Sequence, residues 1–483
     1  MTFQVFDTLT KEKRPFQPLD TGPRPSVRMY NCGPTVYGRA HIGNLRSFLF
    51  ADTLRRWLEA SGYEVQQVMN ITDVGHIQGD ADEGEDKLEA QARRERRDPW
   101  EISRHFTRLF FLDLEALGCR KARVNPRASE HIPEMLEIIE GLLEQGYAYQ
   151  VDGNVYFEVH KFPRYGRLSG NRIEELEAGA RIEVREEKRH PADFALWKSD
   201  PLHLMKWASR FGPDGFPGWH IECSAMARKH LGDQLDIHTG GEDNVFPHHE
   251  CEIAQSEAFT GKPFARYWLH AKFLQVDGGK MSKSLGNVYT VDDVREQGFS
   301  PRVLRFTLIR GHYRGPLNFT WGIMAESDAA LRKLDDLVDR VDLAARGAAD
   351  GPADPEAGRA LVDAAGRKFR SALDDDLNVP AALSALFELR NSVLEHALAP
   401  AVARDASAFL HWALEDVLGL SRDLSEKEEI ENLVRRRRRA RENKDWAEAD
   451  RVRDELSARK VTIQDEAEGT RYQSPGPSGI VPR

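Results

Sequence analysis

The sequence is poor in cysteine, lacks long apolar runs and carries no excess of positive charge. Four cysteines in 483 residues are too few for the disulfide framework of a secreted domain. No stretch approaches the roughly 18 apolar residues of a membrane-spanning helix, and the first residues lack the apolar run of a signal peptide. The formal net charge of −10 argues against a generally basic nucleic-acid binder, although such binding depends on local patches. We therefore expect a cytoplasmic protein with no membrane association.

The composition and the N-terminal pattern predict an α/β fold. Hydrophobic residues make up 40% of the chain, which supports folded cores and excludes a disordered protein. Residues 27–73 read as a strand, a turn, a helix that opens near Leu45, and a second strand over Glu64 to Met69. Such units build Rossmann-like, doubly wound parallel sheets, which bind ligands at the C-terminal ends of their strands.

The turn after the first strand, residues 32–44, has the composition of a phosphate site. A helix N-terminus offers unpaired N–H groups and the positive end of a dipole. Gly38 and Gly43 allow a ligand to approach the backbone closely. His41 is placed to donate a hydrogen bond to a phosphate oxygen, and Cys32 brings a soft metal ligand into the same turn.

A second group of residues indicates a metal site. His248 and Glu252 are four residues apart in a predicted helix that follows Pro247, so both side chains lie on one face. Cys32 and Cys223 are the obvious thiolates to join them, because both are expected at element ends on one side of the sheet. Two thiolates, one imidazole and one carboxylate suit zinc.

Spacing alone leaves other donors open. Cys251 lies three residues after His248 on the same predicted face, and His249 is a further rival. A His-x3-Glu pair is also typical of a helix surface, and a single buried cysteine is often an apolar core residue. Cys119 is remote from every motif, and we interpret it as core packing.

Residues 278–287, GGKMSKSLGN, form a second candidate phosphate element. The glycines predict a mobile loop, and Lys280 and Lys283 can neutralise charge that develops on a leaving pyrophosphate. By itself a K-x-S-K loop is more typical of a flexible, solvated lysine turn. HIGN after the first strand, followed by KMSKS after a later one, resembles the signature pair of class I aminoacyl-tRNA synthetases.

Within that class the chain resembles the cysteinyl-tRNA synthetases over residues 1 to about 473. The resemblance is carried by YNCGPTVYGRAHIGN, NITDVGHI, GWHIECSAM, DIHTGGEDNVFPHHECEIAQS, GGKMSKSLGN, RENKDWAEADRVRDEL and IQDEAEGTRY. In that family a zinc ion lies at the floor of the amino-acid pocket and is held by four side chains. The matching positions are Cys32, Cys223, His248 and Glu252.

The resemblance also implies how cysteine is selected. The zinc of that family binds the substrate thiolate, whereas a serine hydroxyl is a harder ligand and stays protonated at neutral pH. Metal coordination then separates two near-isosteres, and an editing domain is not needed. By the same resemblance Gly33, Thr72 and Trp219 line the amino-acid pocket, and His248 is favoured over His249 as the zinc ligand.

The resemblance further implies a site for ATP, which enters with Mg²⁺ as a substrate. The expected ATP-binding residues are His41, Gly43, Asn44, Gly240, Asp243 and Lys283. The expected catalytic residues are His41, Asn44, Lys280 and Lys283. The cysteine carboxylate attacks the α-phosphorus in line to give cysteinyl-adenylate, and the acyl group then passes to tRNA-Cys, so positioning and electrostatics do most of the work.

The region after residue 290 shows the apolar spacing of helices. The expected domains are the first half of the catalytic domain (1–118), a connective insertion (119–205), the second half with zinc and KMSKS (206–290), a stem-contact segment and helical bundle (291–424), an anticodon-binding domain (425–473) and a disordered tail (474–483). We expect a monomer.

A basic run offers a place for tRNA on this acidic protein. Arg435 to Arg439, with Arg441, lie on a predicted helix that reads either as a solvated face or as an RNA-backbone contact. Its place in the family's anticodon-binding unit favours RNA. Sequence-specific reading of the anticodon is expected from residues 445–472.

Three features depart from the family pattern. Asn44 replaces the second histidine of the first motif, a longer acidic stretch covers 79–86, and Cys251 replaces the usual asparagine. Two other functions remain open. A related ligase joins activated cysteine to an amino-sugar, but it lacks the anticodon-binding end. A zinc-stabilised RNA-binding protein with a vestigial nucleotide site is the non-enzymatic alternative.

Overall fold

The chain forms two units in the computed structural model. The described residues are 2–75, 86–172, 187–281, 286–347, 354–422, 424–459, 461–465, 469–473 and 478–482. The first unit contains residues 4–115 and 120–273, and the second contains 1–3, 116–119 and 274–483. The division after residue 273 falls inside the expected domain 206–290. Among the described helices, none has both the length and the apolarity needed to cross a membrane.

The first unit mixes strands and helices along its whole length. Its strands are β1 (Gln4–Asp7), β2 (Glu12–Pro15), β3 (Ser26–Asn31), β4 (Glu64–Met69), β5 (Ala148–Val151), β6 (Asn154–Phe157), β7 (Phe194–Ser199), β8 (Trp207–Ser209), β9 (Gly212–Pro217), β10 (Leu235–Gly241) and β11 (Ala265–Ala271). Its helices are α1 (Ile42–Ala60), α2 (Lys87–Glu95), α3 (Pro99–Ala116), α4 (Ile132–Glu144), α5 (Trp219–Leu231) and α6 (Glu250–Thr260).

A parallel sheet with the strand order β11–β10–β3–β4 organises the first unit. Its pairings are all parallel, with Met29 opposite Ile237 and Val27 opposite Val65. Val27, Met29 and Ile237 are fully buried, as expected for a parallel sheet covered on both faces. The predicted α/β class is confirmed, and the second strand has the predicted bounds.

Helix α1 begins at Ile42, earlier than the start near Leu45 that its apolar spacing predicts. The cause is a reciprocal cap. Nδ1 of His41 accepts a hydrogen bond from the Asn44 amide at 3.2 Å, and Oδ1 of Asn44 accepts one from the His41 amide at 3.2 Å. This capping box pairs two N–H groups that helix ends otherwise leave without partners.

The expected insertion contributes β5, β6 and β7 to an antiparallel sheet with the order β5–β6–β7–β9–β8, which continues past residue 205 to Pro217. It shares one hydrophobic core with the parallel sheet, since Tyr30 and Val68 belong to the same buried cluster as Phe157 and Trp197. The segments VYFEV (155–159) and FALWKS (194–199), which read as short strands in the sequence, contain most of β6 and all of β7. The insertion is therefore packed into the first unit and is not a separate core.

The second unit is largely helical. Its helices are α7 (Val291–Glu296), α8 (Pro301–Ile309), α9 (Trp321–Ala345), α10 (Pro355–Asp374), α11 (Val379–Glu395), α12 (Pro400–His411), α13 (Leu424–Glu442) and α14 (Trp446–Ala458). Its strands are β12 (Leu274–Val276), β13 (Gly279–Lys280), β14 (Leu317–Phe319), β15 (Thr462–Asp465), β16 (Gly469–Gln473) and β17 (Ser478–Pro482). The helices predicted after residue 290 are confirmed.

The prediction of a disordered tail over 474–483 is wrong for residues 478–482. Strand β17 pairs antiparallel with β16, and Val481, which is 1% exposed, joins the core formed with α13 and α14. A five-residue strand that contains glycine and proline shows no alternation of apolar and polar residues, so the sequence alone does not predict it. The strand is stabilised by its pairing with β16. The folded C-terminal region thus extends beyond residue 473, where we had expected it to end.

We expect Val481→Ala to lower the local stability of the C-terminal sheet by about 1–3 kcal/mol, because a buried side chain loses two methyl groups. The measurement is amide hydrogen exchange over residues 469–473, which should become faster. Gln464→Ala, at an exposed position of the same sheet, is the matched control. Equal protection in Val481→Ala and wild type would mean that this strand adds nothing to the core.

Candidate metal and amino-acid site

Four predicted metal donors converge at one place in the first unit. Cys32 directly follows β3, and Cys223 lies in α5. His248 precedes α6, and Glu252 lies within it. Their ligand atoms are all within 4.8 Å of one another, and all except Cys32 are buried. Residues that are far apart in sequence therefore share one site because their elements meet around the C-terminal ends of β3 and β10.

The helix expected after Pro247 is present: the α-helix is assigned from Glu250, and the π-helical segment Val245–His249 leads directly into it. Phe246 has an extended backbone, with φ −141° and ψ 134°, which kinks this segment. His248 lies after this kink, in the helical segment that continues into α6, one turn before Glu252. The contact predicted from the four-residue spacing is present, with Nε2 of His248 3.0 Å from Oε1 of Glu252.

The other distances complete a compact donor cluster. Sγ of Cys223 is 3.5 Å from Nε2 of His248, and Sγ of Cys32 is 3.6 Å from Oε1 of Glu252. The second carboxylate oxygen of Glu252 is 2.8 Å from Nε2 of His238, which orients the carboxylate from behind. Two sulfurs, one imidazole nitrogen and one carboxylate oxygen in a buried cluster fit a zinc ion.

The electrostatics of the cluster favour anionic donors beside a cationic imidazole. Burial raises the pKa of Glu252, but His238 and His248 overcome this effect and lower it to about 2. Burial likewise raises the pKa of the Cys223 thiol, yet the hydrogen bond from Cys32 and the charge of His248 lower it to about 6. For Cys32, burial and the neighbouring Cys223 both raise the pKa. Because zinc ligands bind in their deprotonated forms, binding of a zinc ion at this cluster would release protons from Cys32 and His248.

A second donor set overlaps the first. Cys32, His238, His249 and Glu252 also place their ligand atoms within 4.8 Å of one another, and Nε2 of His249 is 3.2 Å from Sγ of Cys32. Burial and nearby imidazoles hold the pKa of His249 well below its usual value, so it is a neutral ligand candidate. Cys251 belongs to neither set, and its Sγ lies 3.5 Å from the Tyr165 hydroxyl.

The residues predicted to bind the amino acid adjoin the metal donors. The Gly33 amide donates to Oδ1 of Asn70 at 2.8 Å, and Nδ2 of Asn70 donates to the Thr72 hydroxyl at 3.1 Å. A Cβ at Gly33 would lie 1.6 Å from the Asn70 carbonyl oxygen, so only glycine fits. The Trp219 ring stacks on the His248 ring with centroids 4.2 Å apart.

Part of the predicted nucleotide site is also defined in the first unit. Because Nδ1 of His41 accepts a hydrogen bond, its ring proton resides on Nε2, the donor that a phosphate oxygen needs. Gly240 is the penultimate residue of β10 and lies beside His249, where a Cβ would approach Cε1 of that ring to 2.7 Å. Gly43 lies in the first turn of α1, and Asp243 lies in the short helical turn after β10.

The lysine motif is only partly described. Lys280 is exposed at the end of β13 in the second unit, and the Asn287 side chain donates to its carbonyl oxygen at 3.2 Å. Lys283 and most of the acidic stretch 79–86 lie outside the described residues.

Comparison with known proteins shows the family. Residues 18–329 match the family "tRNA synthetases class I (C) catalytic domain", 368–422 match the "DALR domain", and 423–472 match the "Cysteinyl-tRNA ligase anticodon binding domain". A cysteine–tRNA ligase of Anoxybacillus flavithermus is 45% identical over 478 residues, which cover 98% of this chain and 100% of that protein. The Thermus thermophilus cysteine–tRNA ligase is 44% identical over 486 residues, covering 98% of this chain and 99% of that protein. The chain belongs to the cysteine–tRNA ligase family.

Solved structures agree on the fold of this family member. The methionyl-tRNA synthetase of Mycobacterium tuberculosis, solved with methionyl-adenylate, has a TM-score of 0.60 at 14% identity, covering 82% of this chain and 92% of that one. A putative arginyl-tRNA synthetase of Campylobacter jejuni has a TM-score of 0.56 at 12% identity, covering 84% and 94%. At such low identity these likenesses show the fold alone. The chain is thus an enzyme of the ligase class with the class I synthetase fold.

Two residues of the ligase site had no assigned role in the sequence analysis. His238 lies in a strand, where no i, i+4 partner marks it, and only its position in DIHTGG just before Gly240 could have pointed to it. Asn70 ends a predicted strand in NITD, which is a recognisable ligand position, but its contacts to Gly33 and Thr72 require the folded chain.

The two overlapping donor sets make different predictions for neighbouring histidines. We expect His248→Asn to lose tightly bound zinc, because the set containing His248 has two thiolates, the donors that zinc prefers. His249→Asn is the matched variant and should keep about one zinc per chain. Atomic spectroscopy after dialysis against a chelator measures both. Loss of zinc from His249→Asn with retention in His248→Asn would assign the metal to the other set.

Proposed function

We propose that this family member activates L-cysteine with ATP, transfers it to the 3′ end of tRNA-Cys, and selects cysteine with a zinc ion held by Cys32, Cys223, His248 and Glu252. The observation that carries the proposal is the convergence of those four donors beside Gly33, Thr72 and Trp219. Expected boundaries of the domains and the monomeric state are part of the same proposal.

The donor cluster supports selection of cysteine over serine by metal coordination. Bound zinc would accept the substrate thiolate as a further ligand, which a protonated serine hydroxyl replaces poorly. His238 holds the outer oxygen of Glu252, and Trp219 packs on His248, so the protein fixes its own donors before a substrate arrives. A pocket that relied on shape alone would separate cysteine from serine weakly, because the two differ by one atom.

The turn before α1 supports the ATP assignment. The reciprocal cap of His41 and Asn44 fixes the start of α1 and occupies Nδ1 of His41, so that the ring proton is carried by Nε2. In the proposed step a carboxylate oxygen of cysteine forms a bond to the α-phosphorus of Mg²⁺-ATP, and the bond to pyrophosphate breaks. Lys280 and Lys283 are proposed to stabilise the negative charge of that leaving group.

The basic run supports tRNA binding, but fewer of its arginines are available to bind phosphate than its composition indicates. Its arginines mostly face carboxylates: Arg435 with Glu431, Arg436 with Glu448, Arg437 and Arg441 with Asp465, and Arg438 with Glu442. Arg439 is exposed and has no ion pair within the described part of the chain. We assign Arg439 as the phosphate contact of this helix.

The proposed activity is tested by ATP–pyrophosphate exchange with cysteine and with serine on zinc-loaded protein. We expect exchange with cysteine, exchange with serine lower by at least about 1000-fold, and loss of exchange with bound zinc in Cys32→Ser. Absence of exchange with cysteine would favour the zinc-stabilised RNA-binding protein. Exchange without charging of tRNA-Cys would favour the amino-sugar ligase.

We expect Arg439→Gln to weaken tRNA-Cys binding and to reduce the slope of log K against log salt by about 0.7–0.9, the value for one phosphate contact. Cysteine-dependent exchange should stay unchanged. Arg359→Gln, at another arginine with a largely exposed side chain, is the control and should leave the slope as in wild type. A wild-type slope in Arg439→Gln would exclude this residue as a phosphate contact.

A further inference from the structure

Two histidines meet where the end of α5 reaches the start of α4. Nε2 of His131 lies 3.0 Å from Nε2 of His230, and the ring centroids are 5.2 Å apart. His131 directly precedes α4 and is 6% exposed, and His230 is half-buried in the last turn of α5. Neither residue belongs to the metal-donor sets found in the described ranges, so this contact is separate from the metal site.

The hydrogen bonds of the pair limit the protons that it can hold. Nδ1 of His131 lies 2.7 Å from the carbonyl oxygen of Arg127, and because a carbonyl only accepts, this Nδ1 carries a proton. Neutral His131 therefore has its lone pair on Nε2, and His230 donates to it. One positive charge on the pair still leaves a single proton between the two Nε2 atoms. When both imidazoles are charged, two N–H groups face each other and the hydrogen bond is lost.

The surroundings of the pair oppose a second positive charge. Burial, His131 and Lys229 lower the pKa of His230, whereas Glu134 raises it. Glu134 is already paired with Lys229, and neither imidazole forms an ion pair with a carboxylate in the described part of the chain. Glu130, in the short turn before α4, is exposed. The other charged groups near the contact are paired elsewhere, Arg127 with Asp73 and Arg228 with Glu137 and Asp233.

The segment 126–131 supports the turn that carries Thr72. The Ile71 amide donates to the Pro126 carbonyl at 2.8 Å, and the Ala128 amide donates to the Ile71 carbonyl at 3.0 Å. The segment ends at the first of the two histidines. The position of the Thr72 turn is therefore tied to the start of α4.

Helix α5 carries another part of the predicted amino-acid pocket. It begins with Trp219, whose ring stacks on the His248 ring, and His230 lies in its last turn. The imidazole pair thus connects the helix that presents Trp219 with the segment that supports Thr72. The neighbouring ion pairs between α4 and α5 involve partly exposed side chains, which contribute little to holding the two helices together.

We propose that His131 and His230 are positioning residues of the amino-acid pocket, which join α5 to the support of the Thr72 turn through one shared proton and separate at acidic pH when both are charged. The inference rests on the proposed function, which assigns Thr72 and Trp219 to the cysteine pocket. Burial and like charge keep the pKa of His230 in the folded protein below its ordinary value of 6.5. The contact therefore contributes stability at neutral pH, and this contribution is lost as the pH falls below about 6.5.

Amide hydrogen exchange on the zinc-loaded full chain tests the contact. Wild type is compared with His230→Gln, whose side-chain amide can donate to Nε2 of His131 but takes up no proton. At a pH of about 7.5 the two proteins should protect the first turn of α4 and the last turn of α5 equally. At a pH of about 5.5 wild type should lose at least about threefold more of this protection than His230→Gln.

Cysteine binding, measured by calorimetry on the same samples, gives the second readout. The Kd values of wild type and His230→Gln should agree within about twofold at neutral pH. At a pH of about 5.5 wild type should bind cysteine at least about threefold more weakly than His230→Gln. Protonation of the metal donors affects both proteins alike, so the ratio of the two affinities reports on the histidine pair. Zinc content is measured in parallel.

Two further variants separate this contact from a general loss of imidazole. His131→Asn keeps a donor for the Arg127 carbonyl but has no group that reaches His230, so it should be less protected than wild type at neutral pH and should show little further loss at acidic pH. His105→Gln replaces a half-buried imidazole of α3 and is the matched control. It should keep the wild-type dependence of protection on pH.

An equal loss of protection in wild type and His230→Gln at acidic pH overturns the inference, as does a ratio of cysteine affinities that does not change with pH. If His230→Gln is less protected than wild type at neutral pH, the slope of wild-type protection against pH is compared with that of His131→Asn, and equal slopes overturn the inference. Wild type without cysteine-dependent pyrophosphate exchange at neutral pH overturns the proposed function. Normal exchange together with a constant affinity ratio overturns only the role of the histidine pair.

Discussion

The site in the first unit depends on one buried carboxylate. Glu252 is 0% exposed, with Oε1 3.0 Å from His248 and Oε2 2.8 Å from His238. An uncompensated charge at such a position would cost several kcal/mol, so the two imidazoles are a condition for its burial. His238 belongs to β10, whereas His248 belongs to the helical segment before α6. One side chain thereby joins the sheet, that segment and the helix, and it faces the Cys32 thiol with the same oxygen that meets His248.

Close backbone approach is the second constraint on this site. At Gly33 any side chain would overlap the Asn70 carbonyl, and at Gly240 it would overlap the His249 ring. Both glycines lie at or just after the C-terminal ends of parallel strands, where doubly wound sheets bind their ligands. Because Gly33 and Gly240 have no side chains, the ends of β3 and β10 can pack closely against Asn70 and His249. The compact packing of the site therefore depends on Gly33 and Gly240 as well as on the metal donors themselves.

Secondary-structure elements and metal donors that are marked by a local sequence pattern could be predicted from the sequence. The strand over Glu64–Met69 and the long helices after residue 290 follow from apolar spacing, and the contact of His248 with Glu252 follows from their separation by four residues. Features that depend on distant partners were missed. His238 becomes important only because β10 lies beside β3, and β17 is a strand only because β16 provides its edge. The early start of α1 was missed because its cap is an imidazole paired with an amide, an uncommon combination.

The arginine run shows why composition is a poor guide to an RNA contact. Six arginines within seven residues predict a strong positive field, yet most of them are neutralised by carboxylates, and Asp465 alone receives both Arg437 and Arg441. The two pairs with Asp465 connect the helix to the C-terminal sheet. Burial raises the pKa of Asp465, but Thr470 and Arg437 lower it to about 2. An arginine paired in this way must lose its acidic partner before it can bind a phosphate, whereas Arg439 forms no ion pair with any described residue. Electrostatic attraction between an acidic protein and tRNA then depends on where unpaired charge remains, and among the described arginines of this run we propose Arg439 as that position.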